Sequence, residues 1–171
     1  NLELDNRTGG EIRLRRSHDD EVVVNRTVRG GPLREPDDTI DEHGDTLRVQ
    51  ARCGGFLPFG VCTIDYDVTV PEDTSLDLET ISGRVTVSNV HGDLDVDTTS
   101  GPVQVDDHVG DVTVRTVSGD TELQGVQGTV HAESTSGQIF VDGTFDTAEI
   151  DTVSGDVDVR TREYFTLLLV K

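Results

Sequence analysis

The sequence contains no tryptophan and no methionine, and its aromatic residues make up 4% of the chain. A core built around large aromatic side chains is therefore excluded. Lysine is almost missing as well: Lys171 stands alone beside 13 arginines. With 34 Asp and Glu against 14 Lys and Arg, the formal net charge is -20. Such a chain has no broad basic face with which to release counterions, so neither a nucleic acid nor an anionic membrane surface is expected as a partner. No apolar run approaches the roughly 18 residues of a membrane helix, so no direct membrane span is expected. The chain opens at Asn1 without a signal-like stretch, and a targeting or anchoring segment is expected to lie outside it. A hydrophobic content of 33% with this much charge would suit a disordered segment. The patterning argues otherwise.

Ser-Gly pairs occur at Ser82-Gly83, Ser100-Gly101, Ser118-Gly119, Ser136-Gly137 and Ser154-Gly155, spaced 18 residues apart with no insertion. Half a period later come Gly92, Gly110 and Gly128, and then Asp146 in the fourth position. Each Ser-Gly is followed by an alternating pair, from Val85/Val87 through Val103/Val105, Thr121/Leu123 and Ile139/Val141 to Val157/Val159. The half-period positions lead into Leu94/Val96, Val112/Val114, Val130/Ala132 and Ala148/Ile150, a series that Leu76/Leu78 begins one repeat earlier. Alternation at period two is a strand signal. A constant repeat without two-residue hairpin turns points to equivalent strands stacked in parallel, coil upon coil. The expected fold is all-β: a single-stranded parallel β-solenoid, right-handed by the usual crossover rule, with 18-residue coils and an irregular N-terminal β cap. Gly83, Gly101, Gly119, Gly137 and Gly155 would be its corners, by virtue of positive φ or close packing between coils. Thr80, Thr98, Thr116, Ser134 and Thr152 form a further inward column, whose hydroxyls would bond to backbone groups freed by the turn.

Residues 1–63 are less regular. Leu2/Leu4, Ile12/Leu14 and Val22/Val24 recur at ten-residue spacing, as a distorted first coil would. The stretch from Gly30-Gly31-Pro32 to Asp38 reads as a surface loop, and Leu47/Val49/Ala51 as a strand. The expected organisation is an N-terminal cap in 1–63 and regular repeats in 64–171, together one structural domain. Near the end, Tyr164, Phe165, Leu167 and Leu169 concentrate apolar side chains, as either a second cap or an oligomer contact.

Charge divides unevenly. Residues 1–63 hold 12 acids and 9 bases, whereas 64–171 hold 22 acids and 5 bases. Carboxylates stacked about 5 Å apart on successive coils repel unless counterions are plentiful. Acidic repeats, one lysine and small apolar side chains together suggest adaptation to high salt.

The run ThrIleSerGlyArgValThrValSerAsnValHisGlyAspLeuAspValAspThrThrSerGly at 80–101 resembles an adhesin-named β-strand-repeat family of unknown function found in bacteria and archaea. TyrAspValThrValPro at 66–71 followed by SerLeuAspLeuGluThr at 75–80 resembles the segment that leads into that family's repeats, and AsnArgThrGlyGlyGluIleArgLeu near the start is similar to its opening strand pair. The resemblance implies a parallel β-solenoid in an envelope-associated protein and brings no catalytic residues. Joined to the composition, it suggests a haloarchaeal source.

Cys53 and Cys62 flank an eight-residue segment and are candidates for a disulfide, which implies an oxidising compartment; the alternative is two buried thiols. Asn6-Arg7-Thr8 and Asn25-Arg26-Thr27 match the N-glycosylation pattern, making Asn6 and Asn25 candidate, outward-pointing acceptors. Asp follows Gly at several corners, but the single glycines and the Arg84, Pro102, Thr129 and Gln138 found in the same place do not supply a calcium loop's oxygens. His91 and His108 fall near one corner of adjacent coils and read as surface turn residues rather than metal ligands. No cofactor, metal site or nucleophile motif is expected. Five insertion-free repeats leave little room for the loops on which active sites are built.

The expectation is a non-catalytic, cell-envelope β-solenoid module on the exterior face, secreted or membrane-anchored through a segment outside this chain. It would be adhesin-like or structural, with a protein or glycan partner. The alternative is a bactofilin-like scaffold that self-associates end to end; a polysaccharide-active enzyme ranks third.

Overall fold

Alternating side chains become strand after strand in the computed structural model, which describes residues 1–19, 21–31, 36–54 and 62–161, and residues 167–170 as backbone strand. Among the described residues there are fifteen strands: β1 Leu2–Asn6, β2 Ile12–Arg16, β3 Val23–Gly30, β4 Pro36–His43, β5 Thr46–Cys53, β6 Cys62–Val70, β7 Leu76–Thr80, β8 Val85–Ser88, β9 Leu94–Thr98, β10 Val103–Asp106, β11 Val112–Ser118, β12 Thr121–Ser136, β13 Ile139–Ser154, β14 Val157–Thr161 and β15 Leu167–Val170. The described residues contain no helix. All the strands belong to one sheet, and the architecture is all-β and solenoid-like.

Two rows of strands make up this sheet. In one, Leu76, Leu94, Val112, Val130 and Ala148 follow one another in parallel register. In the other, Val85, Val103, Thr121, Ile139 and Val157 do the same. Both series advance by 18 residues. β12 and β13, 16 residues each, bend from one row into the other. The inward side chains of both rows meet in a single apolar column that includes Leu78, Val87, Val96, Val105, Val114, Leu123, Ala132, Val141 and Ile150, each 1% exposed or less. Mostly small aliphatic side chains at strand spacing fill this narrow interior, joined by the buried aromatic rings of Tyr66 and Phe145.

The N-terminal segment differs from the expected terminal cap. β1 pairs in parallel with β5 on one side and β7 on the other, and β2 lies between β6 and β8. Residues 2–16 therefore form a coil inside the stack, between the coil of β5 and β6 and that of β7 and β8. Val22 and Val24 do not extend it. Val22 is exposed, and Val24 lies on β3, which pairs antiparallel with β6. β4 pairs antiparallel with β5 through a hairpin turning at Gly44-Asp45, with φ of 61° at Gly44. β3 and β4 thus close the first end of the stack. Arg26 on β3 is ion-paired with Asp38 on β4, and the buried Tyr66 of β6 donates its hydroxyl to the same carboxylate at 3.3 Å. Burial raises the Tyr66 pKa above its ordinary value, with the Asp38 charge adding to the effect. The expected loop through Asp38 is shorter than foreseen, since Pro36–Asp38 already belong to β4 and residues 32–35 lie outside the description.

The corner glycines have a direct steric cause. A Cβ on Gly101 would lie 2.0 Å from the carbonyl oxygen of Gly83, and one on Gly119 would lie 2.4 Å from that of Gly101. The same contact runs from Gly83 to the Gly10 oxygen below, so the column extends into the inserted coil. Gly101 and Gly119 have ordinary φ, so close approach of successive coils is what selects glycine there.

At the far end, β14 and β15 pair, among the described residues, with β13 alone. Of the C-terminal contact expected from sequence, Tyr164 and Phe165 lie outside the described residues. Leu167 and Leu169 sit on β15 with backbone partners Thr147 and Glu149, and their side chains lie outside the description too.

Candidate functional site

A groove of about 710 Å³ runs along the stack beside the Ser-Gly corners. Each of five coils contributes three consecutive residues to it. One wall consists of Glu79, Asp97, Arg115, Glu133 and Asp151; the floor of Thr80, Thr98, Thr116, Ser134 and Thr152; the other wall of Ile81, Thr99, Val117, Thr135 and Val153. The floor and acidic-wall positions are register partners from coil to coil, so the groove repeats every coil without interruption. Its apolar wall is open to solvent: Ile81 is 47% exposed, Val117 53% and Val153 83%.

The walls differ in charge. Arg115 pairs with Asp97 at 3.4 Å and with Asp95 at 2.9 Å. Glu79 lies 3.6 Å from Arg7, and Glu133 3.0 Å from His131. The wall is net negative, with Glu79, Asp97, Glu133 and Asp151 outnumbering Arg115, and its exposed ion pairs contribute little individually. Asp77, on the same strand as Glu79, is held protonated to a higher pH than an ordinary aspartate, first by desolvation and then by Asp95, Glu3, Asp97 and Glu79.

The floor hydroxyls depart from expectation. The side-chain oxygens of Thr80, Thr98, Thr116, Ser134 and Thr152 are buried and have no hydrogen-bond partner. The corner serines reach the turn backbone instead: Ser100 donates to the Ile81 carbonyl at 3.2 Å, and Ser136 to that of Val117 at 3.4 Å. One coil below, Asn6 takes the floor position opposite Thr80 and is fully engaged. Its Nδ2 donates to the Ile64 and Gly10 carbonyls at 2.9 and 3.2 Å, and its Oδ1 accepts from the Thr8 backbone and hydroxyl at 3.1 and 2.6 Å. Asn6 is 0% exposed, which corrects its reading as an outward glycan acceptor: the amide that would carry the sugar holds the corner together. Asn25 is exposed on β3.

Cys53 and Cys62 are joined by a disulfide between the end of β5 and the start of β6. His108 also differs from the surface residue expected. It is 0% exposed, in the inward position that Val90 and Val126 occupy one coil before and after. Its Nε2 is 2.9 Å from the Gly92 carbonyl and its Nδ1 has no partner. Burial lowers its pKa, only partly offset by that hydrogen bond. His91 instead lies at the surface, 3.1 Å from Glu72. Among the described residues no group of three or more His, Cys, Asp or Glu side chains is placed to hold a metal ion. No helix among them is long and apolar enough to cross a membrane.

Val90 and Val126, spaced 18 residues either side of His108, were the signal that its position faces inward. The groove had no comparable signal, because its wall residues vary in type from coil to coil and only their register aligns them. Comparison with curated proteins and with solved structures gives no match. The profile of the Toastrack DUF4097 family matches residues 64–168, which takes in every groove-lining residue. The chain therefore belongs to the Toastrack DUF4097 family, a family of unknown function with a β-solenoid-like fold.

Proposed function

We propose that this protein is a non-catalytic binding or structural module of the cell envelope, displayed on the exterior face and attached, if anchored, through a segment outside this chain. In this reading it is a right-handed, single-stranded parallel solenoid with 18-residue coils, stiffened by its ladders and adhesin-like in role. The groove carries the proposal: five in-register rungs present an extended, continuous surface suited to a linear partner, either a protein or a glycan. The Cys53–Cys62 disulfide supports an oxidising location. The stacked carboxylates support adaptation to high salt, where the Debye length falls to about 3 Å at 1 M and their mutual repulsion is screened.

Brief proteolysis or membrane-impermeant labelling of intact host cells tests the placement. Selective loss or labelling of this protein is expected, and full protection refutes an exterior position. The alternative, a bactofilin-like scaffold, draws on β14 and β15, each paired on one side among the described residues. The antiparallel closure of the opposite end by β3 and β4 weighs against repeated head-to-tail addition. Electron microscopy and light scattering in molar salt separate the two, since filaments favour the scaffold and a small discrete species the displayed module. A polysaccharide-depolymerisation screen tests the third reading, in which turnover would replace simple binding.

A further inference from the structure

We infer that the groove binds a polyproline II segment carrying basic side chains along one edge and apolar side chains along another. The inference deepens the proposed role as a binding module and rests on it. It follows from the spacing, width and charge of the groove.

Along the apolar wall, Ile81, Val117 and Val153 alternate with Thr99 and Thr135. The large apolar side chains thus recur every second coil, about 9.6 Å apart at the spacing of neighbouring strands. A polyproline II helix advances about 9.3 Å in one three-residue turn, so every third residue returns to the same face. Three successive turns place three equivalent side chains over Ile81, Val117 and Val153 with an accumulated mismatch of about 0.6 Å. A β-strand returns to one face after about 6.8 Å and falls out of step within one interval. The walls spring from residues two apart along the chain, about 6.6 Å where the backbone is extended, which is narrow for an α-helix of about 10–12 Å diameter with its side chains.

Charge selects the second edge of the ligand. The opposite wall presents Glu79, Asp97, Glu133 and Asp151, with Arg115 as the cation among its described lining residues. Arginines or lysines at every third residue of the bound segment would face this wall while their apolar neighbours face the other. An extended, preformed segment also loses little conformational entropy on docking. A second copy of this acidic chain does not meet these requirements.

The direct test is fluorescence anisotropy with a labelled, end-capped peptide of three Pro-Leu-Arg repeats, measured at about 0.15 M and 1 M KCl. Binding is expected, weakened but not abolished at the higher salt. A peptide of the same composition, reordered so that leucine no longer recurs every third residue, is expected to bind at least about ten-fold more weakly. Val117→Ser and Glu133→Lys, both at exposed positions and checked for folding by circular dichroism, are each expected to weaken binding by about three-fold to ten-fold. Val109→Ser, on a half-exposed residue at the other corner, is expected to leave it unchanged. The inference is overturned if the repeating peptide does not bind, if the reordered peptide binds equally well, or if both groove variants bind like wild type. Binding of a neutral β-linked oligosaccharide in place of the peptide, lost in Val117→Ser, also overturns this ligand while leaving the binding module intact. Absence of both kinds of binding removes the module reading as well.

Discussion

Gly101→Ala isolates the contact that sets the spacing between coils. Glycine is often selected for φ, but φ at Gly101 lies outside the left-handed range, so alanine meets no backbone penalty of its own. By the usual reasoning, alanine would stabilise the fold by about 0.4–1 kcal/mol through reduced freedom of the unfolded chain. The structure predicts the opposite sign. The new Cβ would lie 2.0 Å from the Gly83 oxygen, 2.8 Å from its carbon and 3.0 Å from its nitrogen, all backbone atoms that cannot swing aside. Reaching ordinary contact requires the coils to part by about 1.4 Å at a place where neighbouring strands normally lie about 4.8 Å apart. That movement would break or stretch the flanking bonds from Ser100 N to the Ile81 carbonyl at 2.9 Å and from Val85 N to the Pro102 carbonyl at 3.0 Å. Two damaged ladder bonds, at about 1–2 kcal/mol each when left unsatisfied, plus local overpacking, amount to about 3–5 kcal/mol. Urea unfolding followed by far-ultraviolet circular dichroism at constant salt measures this, since the chain has no tryptophan to report. At about 2–4 °C per kcal/mol for this size, the melting temperature should fall by about 6–20 °C. Gly44→Ala is the control: nothing lies within 4 Å of its Cβ, but φ is +61°, so a loss of only about 1 kcal/mol is expected. A Gly101→Ala protein within about 0.5 kcal/mol of wild type, or more stable, would refute the steric account.

Three further outcomes follow from individual side chains. Reducing the Cys53–Cys62 bridge, or replacing both cysteines with alanine, should cost about 2.5–3 kcal/mol by the loop-entropy relation for a closed loop of about ten residues; an unchanged urea midpoint would show that the bridge does not constrain the unfolded chain. His108→Val restores the residue type found at Val90 and Val126 and removes a pH dependence. Because burial lowers the folded-state pKa, the unfolded chain takes up the proton first, and wild-type stability falls as pH drops below about 6.5 towards the folded pKa, by up to about 1.4 kcal/mol per pH unit. The difference between wild type and variant should grow over that window and be flat above it; a constant difference from pH 7 to 5 would be inconsistent with a neutral buried imidazole. Thr116→Val replaces an unpartnered buried hydroxyl with a methyl of nearly equal volume and should stabilise the protein by about 1 kcal/mol; a loss of similar size in thermal unfolding would mean that the hydroxyl is satisfied.

The repeat could be read because each coil contacts chiefly its neighbours, so the environment of Val103 is that of Val85 shifted by 18 residues. Translation along the stack leaves a matching translation in the sequence. The inward columns and glycine corners were legible for that reason. His108 was obscured by its residue type, which outweighed the valines at the equivalent positions. Asn6 was obscured by a local pattern, since Asn-x-Thr describes a glycan acceptor and, here, a corner in which asparagine and threonine satisfy each other and the strand beside them. Three-residue motifs carry no information about burial.

By itself, the sequence determined the period, the alternation and the residues that face inward, because strand geometry links neighbours in the chain to opposite faces of the sheet. Only the tertiary structure decided that β1 and β2 lie between coils reached much later in the chain, with Leu2 beside both Leu47 and Leu76. Every apolar strand offers the same backbone donors and acceptors along its edges, so alternation cannot specify which two neighbours a strand takes. The groove belongs to the same class of fact: its floor and acidic wall are aligned by register between coils, while the residues on each rung are only three consecutive links of the chain.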